Sequence, residues 1–496
     1  MPSLHLEPSG QTLDLPPNTP LQDVLFNAGA EFPCGGRGRC RGCRVKVIQG
    51  ELPVTPADQQ LLTPQAIQAG WRLACQATLT SNLTLELAQW ETTILSDEQH
   101  FEFTPSHGLG IAIDLGTTTL AAQLLNLQSG EVLASSTALN PQARHGADIM
   151  TRVEFATAHH GAKNLTQLIR NEIYQLIQSL LTHHSSQLPN LHHILIVGNT
   201  AMHHFFGGID PTPLAHAPFE SPNLGLLEFT PSDLDWSLPP TTQIRFLPCL
   251  GGFVGSDILA GLHVTRLHQQ DAVQALVDLG TNGEIIAGNR DKLICAGTAA
   301  GPAFEGARIS HGMRASTGAI SQVNASSNSW SCHIIGGSQP RGICGSGLVD
   351  AIATGLNLGH ILPNGKLTTG QPWELAPPVS LTQRDIRELQ LAKGAVATGL
   401  ELLAHHLGPI THIHLAGAFG NYINRQSAIR IGLLPLPIKQ ISPAGNTALL
   451  GAKALLFSPP DTDWSFSQLR ARIQHVSLHE DPNFESTYLQ QLQFAN

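Results

Sequence analysis

The sequence predicts an α/β multidomain chain, with a small N-terminal β-grasp domain followed by a larger, duplicated α/β domain. Three observations carry this. Four of the eight cysteines fall within the first 75 of 496 residues, among short alternating apolar runs. After a polar stretch near residue 100, the pattern changes to strands that alternate with long helical segments. Finally, Asp114-Leu115-Gly116-Thr117 recurs as Asp278-Leu279-Gly280-Thr281 in a matching context.

In the first domain, residues 1–90, Leu4 and Leu6 alternate with polar neighbours, as do Leu13 and Leu15, and Pro8-Ser9-Gly10 lies between them. That is the pattern of a hairpin. A short helix from Leu21 to Ala28, a cysteine loop, a strand over Cys43–Val47 and an alternating strand over Leu83–Leu87 complete a β-grasp pattern. Residues 91–108 are polar and unpatterned, with Pro105 and Gly108, and read as a linker.

Beyond the linker, Ile111–Ile113 and Ile194–Val197 read as strands, and Leu165–Leu181 as a helix. A further helix over Asp385–Leu403 has a capping-box start at Thr382 and Asp385. Each Asp-Leu-Gly-Thr copy lies between two apolar runs and so predicts strand, tight turn, strand. Val197-Gly198-Asn199 in one half parallels Leu415-Ala416-Gly417 in the other. Two similar halves, 109–270 and 271–496, imply a duplicated fold with a cleft between them.

Composition excludes several classes. The formal net charge is −10 and there is no long basic run, which argues against a nucleic-acid partner. No apolar run reaches the ~20 residues that span a bilayer. The N-terminus has neither a charged n-region nor an apolar h-region. These features predict a cytoplasmic setting without a membrane partner, where thiols stay reduced.

Cys34-x5-Cys40-x2-Cys43, with Cys75 downstream, can supply four thiolates, three of them from one loop. Gly35, Gly36, Gly38 and Gly42 allow that loop to turn tightly and to aim N–H groups at sulfur. Arg37, Arg39, Arg41 and Arg44 sit beside the ligands, where they offset the negative charge of a four-thiolate cluster and form a positive docking face. A zinc site is the alternative, although zinc usually prefers paired C-x2-C knuckles and only one pair exists here. Cys249, Cys295, Cys332 and Cys344 are scattered and read as small core residues. Most of the histidines, which include adjacent pairs such as His203-His204, read as solvated surface, since neighbours on a helix point about 100° apart and rarely share a metal.

In the larger domain, Gly116, Thr117, Thr118 and Thr119 would offer N–H and hydroxyl groups to phosphate oxygens, and Asp114 would order Mg2+. Asp278, with Gly280, Thr281, Asn282 and Gly283, would clamp from the other half. Gly417 and Gly420 suit a close backbone approach to a nucleoside. Two Gly-rich segments, 296–306 with Gly301 and 342–347, run toward helix starts. They are read equally well as anion sites or as packing turns. A lone Asp-x-Gly-Thr would be an ordinary turn, but the matched pair argues against that.

The cysteine loop, with Arg72-Leu73-Ala74-Cys75-Gln76, resembles [2Fe–2S] ferredoxins of the adrenodoxin type. The two hairpins and the Gly417–Gly420 loop resemble the acetate-kinase, sugar-kinase, heat-shock-chaperone and actin superfamily, a ribonuclease-H-like, actin-like ATPase fold that binds ATP and Mg2+. Over nearly the whole chain the sequence resembles the reductive activators of corrinoid proteins. That resemblance includes Asn140-Pro141-Gln142, Gly146-Ala147-Asp148-Ile149, Val197-Gly198-Asn199-Thr200-Ala201-Met202, Gly252-Phe253-Val254-Gly255-Ser256-Asp257, Ala300–Gly306 and Ile343–Leu348. It implies ATP-dependent return of Co(II) corrinoid to Co(I), with a corrinoid protein of a methyltransferase system as partner and an upstream electron donor. Larger relatives carry an extra region between the ferredoxin and ATPase parts that the short linker here lacks. The alternatives are a non-enzymatic iron–sulfur electron carrier or redox sensor with a nucleotide-binding domain, a small-molecule kinase with a regulatory cluster, and an activator of a radical dehydratase. That last family uses a cluster bridging two subunits, not an appended ferredoxin domain.

Overall fold

The computed structural model describes residues 1–7, 10–28, 43–87, 103–158, 160–183, 190–280, 282–327, 329–337, 339–457 and 468–495. The chain divides into two compact units. The first comprises Met1–Thr93, Gln142–Arg152 and Pro302–Leu389, and the second Ile94–Pro141, Val153–Gly301 and Gln390–Asn496.

The first unit opens with the expected hairpin, β1 (Ser3–Glu7) and β2 (Gln11–Asp14), paired Leu4 to Leu13. Helix α1 (Leu21–Asn27), β3 (Arg44–Gln49), α2 (Pro56–Leu61), β4 (Trp71–Leu73) and β5 (Leu83–Leu87) follow. The sheet order is β2-β1-β5-β3-β4, with β1 and β5 parallel in the middle. Alternation places Leu4, Leu6, Val45, Leu83, Leu85 and Leu87 in one core with Leu21 and Leu25 of α1. In the same unit, a three-stranded sheet (Ala319–Ser326, Ser329–Ile334, Gly342–Ile343) leads into the helix Gly345–Asn357. The helix Gln383–Leu407 starts with the expected capping box: the Asp385 carboxylate accepts from the Thr382 N–H at 2.8 Å, and Thr382 Oγ1 accepts from the Asp385 N–H at 3.3 Å.

The second unit holds the duplication. Its first half has β6 (Leu109–Leu115), β7 (Thr119–Asn126), β8 (Val132–Leu139), α3 (Ala162–His183), β9 (Leu191–Gly198), α4 (Thr200–Gly207), β10 (Leu227–Phe229), β11 (Gln243–Phe246) and α5 (Ser256–Thr265). The sheet order is β8-β7-β6-β9-β11-β10. The second half has β12 (Gln274–Leu279), β13 (Gly283–Gly288), β14 (Leu293–Thr298), β15 (His412–Ala416), β16 (Ile441–Gly445), α7 (Thr447–Leu456) and β17 (Ile473–His475). The intervening helix Gln383–Leu407 counts as α6. Its order is β16-β15-β12-β13-β14-β17. In each half an antiparallel three-strand meander is extended by two parallel strands, so β8-β7-β6-β9-β11 matches β14-β13-β12-β15-β16. α5 and α7 pack with backbone nearly touching: a Cβ on Gly451 would lie 2.3 Å from the Ala260 carbonyl oxygen. Ile258, Leu259, Leu262, Leu449 and Leu456 join Val197 and Leu276 in the shared core.

Two expectations change. His203 and His204 are fully buried rather than solvated. They lie on α4, where three of their four ring nitrogens are hydrogen-bonded inside the fold and His203 Nδ1 is buried without a partner. His204 Nδ1 donates to the Thr200 carbonyl at 2.8 Å and its Nε2 accepts from Ser221, while His203 Nε2 donates to the Gly225 carbonyl. Burial pushes the His203 ring down to about 4, so it stays neutral. The 296–306 segment reaches no α-helix, only a single 3-10 turn over Pro302–Glu305. The Ala307 N–H returns to the Pro302 carbonyl and Gly306, at φ 79°, redirects the chain. Of the expected linker, residues 91–102 lie outside those described, and the Phe103 ring lies tilted against Phe457 with centroids 4.6 Å apart.

Candidate functional site

Cys34 and Cys40 lie outside the described residues, so only half of the expected cluster set can be placed. Cys43 immediately precedes β3, and Cys75 lies two residues beyond β4. Arg44 pairs with Leu73, and the Ala74 N–H donates to the Cys43 carbonyl at 2.9 Å. Strand pairing therefore brings these two cysteines, 32 positions apart in sequence, to one end of the sheet. Cys43 is buried, while Cys75 is half-buried and accepts from Gln76 Nε2 at 3.8 Å. Two cysteines at one end of a sheet, with an amide aimed at one sulfur, suit a thiolate cluster. Arg44 reaches the Ser310 carbonyl and lies over the Trp71 ring. Asp58, unremarked in the sequence, braces β4. Its Oδ1 accepts from the Leu73 N–H at 2.7 Å and its Oδ2 from the Thr55 N–H at 2.7 Å, while the side chain itself is fully buried.

In the second unit, each Asp-Leu-Gly-Thr copy occupies the same place. Asp114 is the penultimate residue of β6 and Asp278 that of β12, each ahead of a tight turn. The Gly116 N–H donates to the Thr119 carbonyl at 3.0 Å, and the Gly280 N–H to the Asn282 carbonyl at 3.2 Å. Thr117 is buried, and Thr118 and Thr119 are partly so; Thr281 lies outside the described residues. Gly283 sits in β13, where a Cβ would meet Thr298 Oγ1 at 2.4 Å. Gly417 follows β15 at φ 85°, and a Cβ there would fall 2.4 Å from Asp278 Oδ1. Its close approach is thus to the Asp278 carboxylate. A Cβ on Gly420 would rest on Leu415, which marks packing, whereas Gly301, at φ 71°, faces open space. A Cβ on Gly347 would strike the Ile320 carbonyl at 2.1 Å, which decides for packing in the 342–347 segment.

Sequence reasoning missed two acids, Asp257 on α5 and Glu284 on β13. Glu284 is the cross-strand partner of Asp278. Burial pushes the Asp114 carboxyl up to about 7, against the Asn446 hydrogen bond and with help from Asp257. Burial, with the charges of Asp257 and Asp114, raises Asp278 to about 8. Asp257 and Glu284 are raised as well, first by burial. Asp257 and Glu284 share a hydrogen bond, and these two acids with Asp114 and Asp278, Glu284 Oε2 being unpartnered, form a site short of positive charge. A divalent cation carried by a polyphosphate supplies such charge while needing only one or two protein carboxylates. Among the described residues, no group of three or more His, Cys, Asp or Glu is spaced to hold a metal ion by itself.

Asparagines hold the first hairpin. Asn140 is fully buried; its Nδ2 donates to the Gly116 carbonyl and its N–H to the Thr118 carbonyl, both at 2.9 Å. Asn199 donates to Thr117 Oγ1 at 2.8 Å and Asn446 to Asp114 Oδ2 at 2.9 Å. The first two stand in the motifs noted above; only tertiary proximity reveals the third.

Three family models together span the chain. One for 2Fe-2S iron-sulfur cluster binding domains matches residues 4–80, one for the RACo middle region matches 109–270, and one for the C-terminal domain of RACo, the ASKHA domain, matches 272–496. The chain is 32% identical over 444 residues to the corrinoid activation enzyme RamQ of Eubacterium limosum, covering 81% of this chain and 74% of that protein. It is 26% identical over 429 residues to the [Co(II) methylated amine-specific corrinoid protein] reductase of Methanosarcina barkeri, covering 78% and 77%. A solved reductive activator for corrinoid, iron-sulfur protein superposes with a TM-score of 0.69 at 26% identity, over 100% of this chain and 98% of that one. No described helix is long and apolar enough to cross a membrane.

Proposed function

We infer the function of this chain from its family: it belongs to the reductive activators of corrinoid proteins, with an N-terminal iron–sulfur domain and a C-terminal ASKHA domain. Its activity is the ATP-dependent return of a Co(II) corrinoid protein to Co(I). The observation that carries this reading is the 32% identity to a corrinoid activation enzyme over 81% of the chain, both modules included.

Cys34, Cys40, Cys43 and Cys75 would hold the [2Fe–2S] cluster, which supplies one-electron transfer when bound. Asp58 accepts from the β4 backbone two residues before Cys75 and would help hold that end of the strand, and Gln76 orients its amide toward the Cys75 sulfur. In the ATPase domain, over 109–270 and 271–496, Thr117, Thr118 and Thr119 would bind phosphate oxygens with Gly116. Gly280, Thr281, Asn282 and Gly283 would close from the other half, and Gly301, Gly417 and Gly420 would border the nucleotide. Asp114 and Asp278 would hold the waters of Mg2+. The upstream electron donor, a methyltransferase system as the source of the corrinoid partner, and a cytoplasmic setting belong to the same proposal.

The energetics favour coupling. For a one-electron step, about 59 mV corresponds to a tenfold shift, so an uphill gap of about 100 mV leaves the reduced corrinoid about 50-fold disfavoured. ATP corrects that only by favouring one conformational state, which hydrolysis then resets. The test is anaerobic: protein, chemical reductant, Mg-ATP and a cognate corrinoid protein, with the corrinoid absorption spectrum followed. Co(I) should accumulate with ATP. Equal rate and extent without ATP overturn the coupling.

A further inference from the structure

Asn199 and Asn446 each do two things with one amide. Asn199 is the N-cap of α4, where its Oδ1 accepts from the Met202 N–H at 3.1 Å. Asn446 is the N-cap of α7, where its Oδ1 accepts from the Leu449 N–H at 2.9 Å. An ordinary N-cap stops there. Here the other end of each amide turns to the first phosphate hairpin, Asn199 Nδ2 to Thr117 Oγ1 and Asn446 Nδ2 to Asp114 Oδ2. Amide orientation is fixed by these partners, since a backbone N–H can only donate and a carboxylate only accept. Asn446 follows β16 of the second half, while Asp114 is the penultimate residue of β6 of the first, so this bond ties the two halves of the duplicated fold at the hairpin.

The Thr117 bond has a chemical consequence. A hydroxyl that accepts from Asn199 keeps its own proton to give. No described protein acceptor takes that proton, and Thr117 is buried, so the hydroxyl is left as a directed donor for an oxyanion. The Asn446 bond holds Asp114 Oδ2, leaving Oδ1 for a cation or its water.

We propose that Asn199 and Asn446 are positioning residues for nucleotide chemistry: Asn199 aims the Thr117 hydroxyl at a phosphate oxygen, and Asn446 fixes the Asp114 carboxylate toward the metal. This deepens the nucleotide reading of the site and rests on it.

The experiment uses the full chain, purified anaerobically with its cluster, and Mg-ATP as the probe. Aspartate caps a helix as well as asparagine but cannot donate. A capping role alone therefore predicts parental turnover in Asn446→Asp and Asn199→Asp. Positioning predicts a loss of about tenfold to a hundredfold in kcat for Asn446→Asp, with half-saturation for Mg2+ rising about tenfold. Asn446→Ser, which caps without adding charge, carries the same direction and covers the case in which the Asp variant does not fold. Asn199→Ser should raise KM for ATP about tenfold with the thermal midpoint held within about 2 °C. Folded Asn446→Ser and Asn446→Asp proteins with parental kcat and Mg2+ dependence overturn the inference while leaving the nucleotide reading intact. A parent that does not hydrolyse Mg-ATP, or an Asp114→Asn protein that hydrolyses it fully, overturns both.

Discussion

Asp114 and Asp278 sit at matching ends of two strands, yet each is pushed toward neutrality by burial and by shared negative charge. Their amide replacements keep shape and remove the charge that a cation needs. Asp114→Asn and Asp278→Asn should each lower Mg-ATP hydrolysis by about a hundredfold, as expected when a charged metal contact is lost. The visible spectrum of the cluster should not change; a parental rate in both proteins would sink the two-hairpin clamp. The same shifts set a pH dependence. An unfolded aspartate titrates near 3.9, whereas Asp278 titrates at about 8 in the fold. Between those values the folded protein takes up a proton that the unfolded chain does not, so nucleotide-free protein gains stability as pH falls from about 8.5. The gain from Asp278 is on the order of 2 kcal/mol by pH 6.5. His203 and His414, held down to about 4 by burial, are neutral in the fold, and since an unfolded imidazole starts to take up protons below about pH 7.5 they offset a small part of that gain toward pH 6.5. Urea midpoints across that range should show the rise, and Asp278→Asn should lessen it, the remainder coming from Asp114 and the other raised acids.

Two turns show how elements deliver these groups. Asp58 stands at the start of α2, but its carboxylate also accepts from the β4 backbone at Leu73, two residues before Cys75. Asp58→Ala removes the capping box and leaves a buried N–H unsatisfied, a cost of about 2–4 kcal/mol. The ferredoxin part should melt earlier, and iron should be lost on desalting while ATP hydrolysis persists. Retained iron and an unchanged melt would show that β4 needs no such brace. At the other turn, Gly417 links β15 to its following helix at φ 85°, against Asp278. Gly417→Ala combines left-handed backbone with a clash at the carboxylate and should cost about 1–3 kcal/mol. ATP hydrolysis should fall at least as far as stability does, since the displaced atom is Asp278 Oδ1. A normal rate in Gly417→Ala would show that the carboxylate moves freely.

At the scale of the molecule, the function requires two modules whose losses are separable. Protein purified without oxygen should be red-brown and carry about two irons per chain. Cys→Ser at position 34, 40, 43 or 75 should alter or bleach that spectrum and abolish Co(I) formation while Mg-ATP hydrolysis continues. Colourless protein with stoichiometric zinc would refute the cluster, and a Cys variant that still forms Co(I) would refute its role as the electron port.

The sequence by itself determined the elements and their chemistry. Strict alternation in Leu4–Leu6 and Leu83–Leu87, the Asp-Leu-Gly-Thr repeat and the Thr382–Asp385 cap are local patterns, and local patterns are set by backbone geometry. The placement of Cys43 and Cys75 at one end of a sheet and the buried His203–His204 pair depended on which strand or loop lay opposite, which periodicity does not encode. Only the tertiary structure decided that Glu284 faces Asp278, that Asp257 joins them, and that Asn446, 332 residues after Asp114, holds its carboxylate. Electrostatic strength and hydrogen-bond partnership depend on distance and burial in space, and folding alone fixes both.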